Sequence, residues 1–456
     1  PLFNLKLKAS TRGVNITRQA PFLAMIFATG MALKSSPAAC FDEIVRKPSV
    51  WMPLVGEARR YKSFRTITDE TSAYLEYAKY CPNHWLGDYM VDLVSNMRGG
   101  GNLPRFTQEK LEDAIAGFVR DLGSRAEFLM ILTGGAMLMY ATMPLLILSM
   151  ALMFVGLGGA GQAEVLITFS YILLAASTLF IPIGEMVKPE FEYRLDKDPR
   201  LIVLSIALPL ATIALSLHVN LPYNLLLYLL LLGLGTPLMV MFIRSDRMNM
   251  ALLTGASRFL FDLQERSRYG LPLMVAITRL SERNYSKPLD LLIRRFVSNL
   301  NLLGPEGAFR SIYAQAGNDY VRRLFGLIEF THRSGAEDPS LYFTFDQFFR
   351  KIIGGIQSFR RTALSYSLIA ALGVGVMLIG VSSMLGGVSQ IQQLGSAQAS
   401  AINTIVGNVK LLIPVLSFAS GCLAGYFGTG IIVGAFREGT ILTALALVLG
   451  LTLQVV

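Results

Sequence analysis

Few residues in this chain have the types and spacing that catalysis, metal binding or nucleotide binding requires. A zinc site or a disulfide framework needs closely spaced cysteines or histidines. These residues are scattered and include no Cys-x-x-Cys pair: His84, His218, His332, Cys40, Cys81 and Cys422. A phosphate-binding loop needs a Gly-Lys pair, and the sequence has none. We therefore predict that the protein is not an enzyme and has no catalytic, cofactor-binding or metal site.

Ionisable residues are likewise missing from the interior of the long apolar runs. A charged group at the centre of a membrane is costly and usually functional. The charged residues nearest to these runs lie at their ends, where side chains reach water; they are Glu164, Glu185, Lys410, Arg437 and Glu438. The sequence therefore predicts neither a proton relay nor an intramembrane carboxylate pair.

Basic residues are the most prominent charged feature, and the chain has a formal net charge of +10. Eight of them form clusters in polar stretches: Arg59, Arg60, Lys62, Arg65, Arg294, Arg295, Arg322 and Arg323. Anionic lipid headgroups, an acidic protein partner or plain solvation could each explain such clusters. Clusters remote from the apolar runs suit a protein partner best, and we treat all eight residues as docking candidates.

Lipids and nucleic acids need separate consideration as partners. Membrane lipids suit Arg125 and Arg360, which stand where polar stretches enter apolar runs. Tyr74 and Tyr77, near Lys79, recur at helical spacing, which is more typical of a helix core than of a base-stacking surface. We therefore predict lipid contacts but no nucleic-acid partner.

The elements that carry these residues include long apolar segments. With 53 % hydrophobic residues, 16 % charged residues and a mean hydropathy of +0.49, the chain belongs to the membrane class. Seven uncharged runs are long enough to cross about 30 Å of hydrocarbon as helices. They are Phe128–Val155, Val165–Gly184, Leu201–Leu217, Leu221–Ile243, Thr362–Val388, Leu411–Phe436 and Thr440–Val456. Only the polar and proline-containing segment 218–222 separates the third run from the fourth.

The positions of lysine and arginine predict the orientation of these runs. If residues 1–127 lie inside, 40 of the 41 Lys and Arg residues fall on the inside and only Lys410 falls outside. We therefore predict a multi-pass protein of the cytoplasmic membrane, with a cytoplasmic N-terminus and an external C-terminus. The segment 389–410, whose one charged residue is Lys410, would then be external.

The polar stretches show the three- and four-residue spacing of apolar residues that is typical of helix bundles. We predict an all-α polytopic membrane protein with two homologous cytoplasmic helical-bundle domains, 1–127 and 244–361, and about seven transmembrane helices. Four of these helices lie in 128–243, around a short cytoplasmic loop at 187–200. The other three lie in 362–456.

Two short matches indicate that the polar blocks are copies of one another. Gly30-Met31-Ala32-Leu33 resembles Gly270-Leu271-Pro272-Leu273. Arg98-Gly99-Gly100 resembles Arg333-Ser334-Gly335 at a displacement of 235 positions. Arg125 and Arg360 are displaced by the same number, so the second match keeps its register.

Closely spaced glycines in the sixth run predict helix packing. They are Gly421, Gly425, Gly428, Gly430 and Gly434. Small residues at four-residue spacing let helix backbones approach closely in lipid, although glycine is also common in membrane helices for other reasons. The contact could lie within one chain or across a symmetric homodimer, the commonest homo-oligomer.

Several motifs of the first block resemble one known family. They are Pro21-Phe22, Gly30-Met31-Ala32-Leu33, Phe41-Asp42-Glu43-Ile44, Ser72-Ala73-Tyr74-Leu75-Glu76-Tyr77-Ala78, Leu86-Gly87-Asp88-Tyr89 and Gly100-Gly101-Asn102-Leu103. The chain resembles the inner-membrane platform proteins of type II secretion and type IV pilus machines, in the long archaeal form found in pili and the archaeal flagellum. We assign the family motif to Gly30, Gly99, Gly100, Gly101, Asn102, Gly270, Ser334 and Gly335. Asn102 departs from the Gly-Gly-Asp-Leu that is usual there.

The resemblance implies a non-enzymatic scaffold. Its cytoplasmic domains would receive the motion of a hexameric secretion ATPase, and its membrane helices would guide pilin or archaellin subunits into a filament. A different function also fits the composition, namely the membrane subunit of a multi-spanning transporter driven by a separate ATPase. The absence of ion-coupling groups and the duplicated polar blocks favour the platform.

Overall fold

The computed structural model describes residues 2–156, 198–219, 221–335, 338–391, 396–429 and 432–453. Every regular element in these ranges is a helix, as the sequence predicts. The first six are α1 (Leu2–Ala32), α2 (Pro37–Arg46), α3 (Met52–Arg65), α4 (Glu70–Lys79), α5 (His84–Arg98) and α6 (Leu103–Gly156). The others are α7 (Pro199–His218), α8 (Tyr223–Arg268), α9 (Leu273–Leu280), α10 (Lys287–Gln315), α11 (Asp319–Arg333), α12 (Pro339–Ile391), α13 (Ser396–Thr429) and α14 (Ile432–Thr452).

Within the described ranges, five helices contain a stretch long and apolar enough to cross a membrane: α7, α8, α12, α13 and α14. They correspond to the third to seventh predicted runs. The first run, Phe128–Val155, lies in α6, and the second, Val165–Gly184, falls outside the described residues. Several apolar helices are thus present, as expected for a multi-pass membrane protein.

The predicted division of the 201–243 stretch coincides with a helix break. α7 ends at His218 and α8 begins at Tyr223, so the intervening polar and proline residues separate two helices.

The predicted boundary between the last two runs, with Arg437 and Glu438 at the span ends, is wrong. α13 ends at Thr429 and α14 begins at Ile432, so Arg437 and Glu438 lie inside α14 and inside its membrane-length stretch. The two side chains neutralise each other, since Arg437 Nε donates a hydrogen bond of 2.8 Å to Glu438 Oε1. The guanidinium of Arg437 also lies 5.4 Å from the ring centroid of Phe242. A mutually paired couple is tolerated among apolar helices, so the helix continues through it.

The chain divides into two compact units. Residues 2–121 and 248–356 belong to one, which we call the polar unit. The other, the apolar unit, contains α7, α13 and α14 and the apolar segments of α6, α8 and α12. The two predicted polar blocks therefore lie in a single compact body. The unit boundaries fall inside α6, α8 and α12, four to six residues from the predicted domain boundaries, because no linker interrupts these helices.

The helices of the polar unit occur in two series of the same order and spacing. α5 begins at His84 and α11 at Asp319, a displacement of 235 residues, and α2 and α9 are displaced by 236. α10 is kinked at Gly304, where φ is 74°, and its two halves correspond to α3 and α4. We call residues 2–121 repeat 1 and residues 248–356 repeat 2.

Caps and core contacts recur in the same register. Asn83 caps α5 and Asn318 caps α11, each through a side-chain oxygen that accepts a backbone N–H. A pair of aromatic rings recurs as well, with centroid distances of 4.6 Å for Tyr61–Tyr74 and 5.0 Å for Phe296–Phe309. Positions 61 and 74 correspond to 296 and 309 at the displacement of 235.

The predicted match between Gly30 and Gly270 is wrong by four residues. Gly30 lies inside α1, where a Cβ atom would collide with Sγ of Cys40. Gly270 instead has φ +72° after the end of α8. The residue with this conformation after α1 is Lys34, with φ 56°. Lys34 therefore corresponds to Gly270, at a displacement of 236 residues. Position 30 requires glycine because there is no space for a side chain, and not because of its backbone conformation.

Candidate functional site

The joint between the two repeats centres on α11. The ring of Phe22 in α1 lies 5.5 Å from that of Tyr320 and 5.4 Å from that of Phe348. The guanidinium of Arg323 lies 4.5 Å from the Phe22 ring centroid, in a cation–π arrangement. Further along α1, a Cβ atom at Gly30 would come within 3.8 Å of the Phe330 ring. One face of α1 therefore packs along α11.

The segment between α2 and α3 also contacts α11. Arg322 donates a hydrogen bond of 3.4 Å to the carbonyl oxygen of Ser49. A Cβ atom at Gly326 would lie 2.8 Å from Val50 and 3.2 Å from Trp51, so only glycine permits this approach. Trp51 is 1 % exposed and is fully enclosed at the joint.

A buried group of charges completes the joint. Lys47 Nζ lies 3.1 Å from a carboxylate oxygen of Glu43 and also pairs with Glu329 of repeat 2. The Tyr313 hydroxyl donates to Glu329, and the Lys47 ammonium lies 5.6 Å from the Tyr313 ring centroid. Burial and the Glu329 carboxylate raise the pKa of Tyr313 well above its ordinary value, so the phenol stays protonated. One lysine thus links carboxylates from both repeats.

A second buried carboxylate is held inside repeat 1. Arg12 Nε donates 2.7 Å to Glu57 Oε1, and the Tyr77 hydroxyl donates 2.8 Å to Oε2. Burial acts to raise the pKa of Glu57, but the hydrogen bonds from Arg12 and Tyr77 and the charges of Arg12 and Arg60 outweigh it. The pKa of Glu57 therefore lies below its ordinary value. Glu57 thus connects α1, α3 and α4.

The predicted basic candidates differ in exposure. Arg59 and Arg294 are exposed and make no ion pair among the described residues. Arg60 pairs with Glu57, and Lys62 and Arg65 lie 3.0 Å and 3.3 Å from Asp42. Arg295 is exposed and donates 2.9 Å to Gln315. Two pairs are equivalent by position, because 59 and 60 correspond to 294 and 295 at the displacement of 235.

The expected exposure of the Arg322-Arg323 pair is wrong. Arg323 is 2 % exposed and lies over the Phe22 ring, and Arg322 bonds to Ser49 and to Asp319 at 2.7 Å. Both residues are occupied by the joint between repeats. Sequence spacing alone does not show which side of a helix faces a second repeat.

Motif residues terminate the equivalent helices α5 and α11. Gly100 and Gly335 both have φ +68°, a conformation that favours glycine. Gly99 is the C-cap of α5, and Ser334, the C-cap of α11, donates 2.9 Å from its hydroxyl to the Phe330 carbonyl. At Gly101, a Cβ atom would lie 2.7 Å from the Asn96 side chain.

Asn102 has a capping role at the start of α6. Its side-chain oxygen accepts a hydrogen bond of 3.1 Å from the backbone N–H of Arg105. Asparagine and aspartate cap helices about equally well. An aspartate at position 102 would therefore cap α6 in the same way.

A groove of about 430 Å³ lies between α4 and α5. Its lining includes Ser72, Leu75, Glu76, Gly87 and Asp88. These residues belong to the two central motifs on which the family resemblance rests. The equivalent side of α11 is covered by the α2–α3 segment, whereas this groove is open.

Glycines of the apolar unit lie at close helix contacts. A Cβ atom at Gly421 would lie 2.5 Å from the Glu438 carbonyl oxygen, and one at Gly425 would lie 2.7 Å from that of Gly434. Gly428 faces Ala363 of α12, and a Cβ atom at Gly428 would lie 3.1 Å from the alanine Cβ. Gly430 lies outside the described residues.

No group of three metal-binding side chains occurs in the ranges that the structure describes. No known family, curated protein or solved structure matches the chain. The pairing of Lys47 with Glu329 has no local sequence pattern, because it joins distant segments of the chain. The recurrence of Asn83 at Asn318 would have given the correct register.

Proposed function

We propose that this protein is a non-enzymatic membrane platform in a machine of the type IV pilus or archaeal flagellum kind. In this role a hexameric secretion ATPase acts on the polar unit, and pilin or archaellin subunits contact the apolar helices. The two repeats would be homologous cytoplasmic domains. The distribution of lysine and arginine supports a cytoplasmic polar unit, and the seven predicted runs would be the membrane spans.

The observation that carries the proposal is the continuity of α6, α8 and α12. Each helix contributes residues to both the polar and the apolar unit without an intervening loop. A scaffold that converts the motion of a motor into movement of membrane helices requires such connections. A solvated domain joined by flexible linkers would not transmit the motion.

The repeated arginine pairs supply candidate contacts for the motor. Arg59 and Arg294 occupy equivalent positions on exposed helix faces, so the polar unit presents the same basic feature twice. Exposed charges contribute little to folding, about 0 to 1 kcal/mol each. They steer and orient acidic partners more effectively than they stabilise a fold.

Co-purification from membranes tests the proposal. We expect the tagged wild-type protein to recover a ring-forming ATPase and pilin-like subunits. The double variant Arg59→Glu/Arg294→Glu should lose at least about 90 % of the ATPase and retain the pilins, because two charge reversals oppose an acidic surface. The control Arg105→Glu/Arg310→Glu changes one exposed arginine in each repeat and should retain both partners.

Two results would contradict the proposal. One is recovery of neither partner by the wild-type protein. The other is uptake of a small solute by vesicles that contain the protein and an ATPase, which would favour a transporter subunit.

A further inference from the structure

Equivalent helices of the two repeats differ in how completely they are covered. α11 has eleven buried residues, whereas α5 has five. His84, Asp88 and Val91 form an exposed row along α5. Their counterparts on α11 include Arg323 and Gly326, which repeat 1 covers. We call the exposed row of α5, together with the neighbouring exposed Asp113 of α6, the open face.

α1 of repeat 1 and its counterpart α8 of repeat 2 also differ in how completely they are covered, but here the helix of repeat 1 is covered more. Each helix buries the equivalent face in its own repeat, since Leu23 of α1 is 1 % exposed and its counterpart Phe259 of α8 is 0 % exposed. α1 also buries Phe22 at 1 %, in the face that packs on α11.

The corresponding face of α8 is uncovered. At the displacement of 236, it carries Arg258, Phe261 and Glu265, all of them exposed. We call this row of α8 the free ridge.

The contact between repeats is therefore head-to-tail. The α1 ridge of repeat 1 occupies the α11 face of repeat 2, but the free ridge of repeat 2 does not occupy the open face of repeat 1. If the two repeats were related by a two-fold axis, the free ridge of repeat 2 would also occupy the open face of repeat 1. A heterologous contact leaves one donor surface and one acceptor surface available on each molecule.

The residues of the two free surfaces are complementary in charge. In the internal joint, Phe22 is surrounded by Tyr320, Phe348 and Arg323. The counterpart of Phe22 is Arg258, and the counterparts of its three neighbours are Trp85, Asp113 and Asp88. An arginine would therefore meet one aromatic ring and two carboxylates, which is a favourable set for a guanidinium.

We propose that the free ridge of one molecule binds the open face of a second copy of this chain, with Arg258 placed between Trp85, Asp88 and Asp113. The contact reproduces between molecules the joint that exists within each molecule. Its repetition generates a closed ring or an open row of copies, and a ring of two is a dimer that makes the contact twice. It requires no motor and is independent of the proposed function.

Charge reversal in the full-length protein tests the contact. We expect wild-type protein in lipid nanodiscs or detergent to self-associate, and Arg258→Glu or Asp88→Arg to weaken the association at least about tenfold, because each places like charges together. The double variant Arg258→Asp/Asp88→Arg should recover most of the association. The control Arg310→Glu reverses an exposed arginine of repeat 2 outside the free ridge and should associate like the wild type.

Crosslinking tests the head-to-tail geometry. Gly30 and Phe330 are neighbours in the internal joint, and their counterparts on the free surfaces are Arg266 and Ser95. In chains whose native cysteines are replaced by alanine, Ser95→Cys and Arg266→Cys should be joined by a short bismaleimide only when the two variants are mixed. Monomeric wild-type protein, unaltered association of Arg258→Glu, or no crosslink in the mixture would overturn the proposal.

Discussion

Replacement of Lys47 by methionine should weaken the joint between the repeats. The ammonium group pairs with Glu43 and Glu329, and the three side chains are 10 %, 5 % and 7 % exposed. Methionine preserves most of the aliphatic volume but leaves two buried carboxylates without their shared cation. Removing one partner of a buried ion pair costs about 3 to 5 kcal/mol. For a unit of this size, each kcal/mol corresponds to about 2 to 4 °C in Tm, so we expect a decrease of about 6 to 20 °C.

Tryptophan fluorescence provides the assay. The chain has two tryptophans, and both Trp51 and Trp85 lie in the polar unit. In a Trp85→Phe background, Trp51 alone reports the joint, because it is buried beside Gly326. Heating the full-length protein should therefore show the unfolding of this region without a signal from the apolar helices.

A matched control separates the buried pair from a general loss of charge. Lys62→Met removes an ammonium that is 55 % exposed and faces Asp42, and it should change stability by no more than about 1 kcal/mol. Adding Glu329→Gln to Lys47→Met should restore part of the lost stability by removing one uncompensated carboxylate. Equal Tm values for Lys47→Met and Lys62→Met would refute the reasoning.

Two further predictions concern Glu57 and Gly425. The lowered pKa of Glu57 contributes stability that is present above the unfolded value of about 4.3 and is lost as pH falls through the folded value. Glu57→Gln should therefore destabilise the polar unit most at neutral pH, and the difference from wild type in denaturant unfolding should shrink in acid; a constant difference would contradict this. Gly425→Leu should force α13 from α14 because backbone atoms lie 2.7 Å and 3.0 Å from the Cβ position, at a cost of about 1 to 3 kcal/mol or more. Gly375→Leu, where no atom lies within 4 Å, is the control, and equal thermal stability of the two variants in detergent would exclude the close contact.

Local sequence signals predicted the helix breaks that depend on local chemistry. His218 and Pro222 mark the break between α7 and α8, and the Gly100 and Gly335 turns occur at the predicted displacement. These features depend on a few consecutive residues, whose backbone preferences can be read directly. Gly30 failed as a landmark because a glycine required for space looks the same in sequence as a glycine required for backbone conformation.

Features that depend on distant segments could not be predicted. Arg323 has the sequence context of a surface residue, yet Phe22 covers it from about 300 positions away. Arg437 and Glu438 were predicted to lie at the ends of two runs, because their mutual pairing within a helix leaves no pattern in the sequence. In each case the charged side chain can be buried because a partner compensates its charge.

The length of α12 has a mechanical consequence. Its 53 residues form a rod of about 80 Å without an internal proline. Hydrogen bonds between successive turns resist torsion, so α12 is stiffer than a loop of the same number of residues. Two adjacent glycine pairs are the softest points of α12, because neighbouring glycines favour bending. They are Gly354-Gly355, just before the unit boundary at Ile356, and Gly386-Gly387 near the other end of the helix.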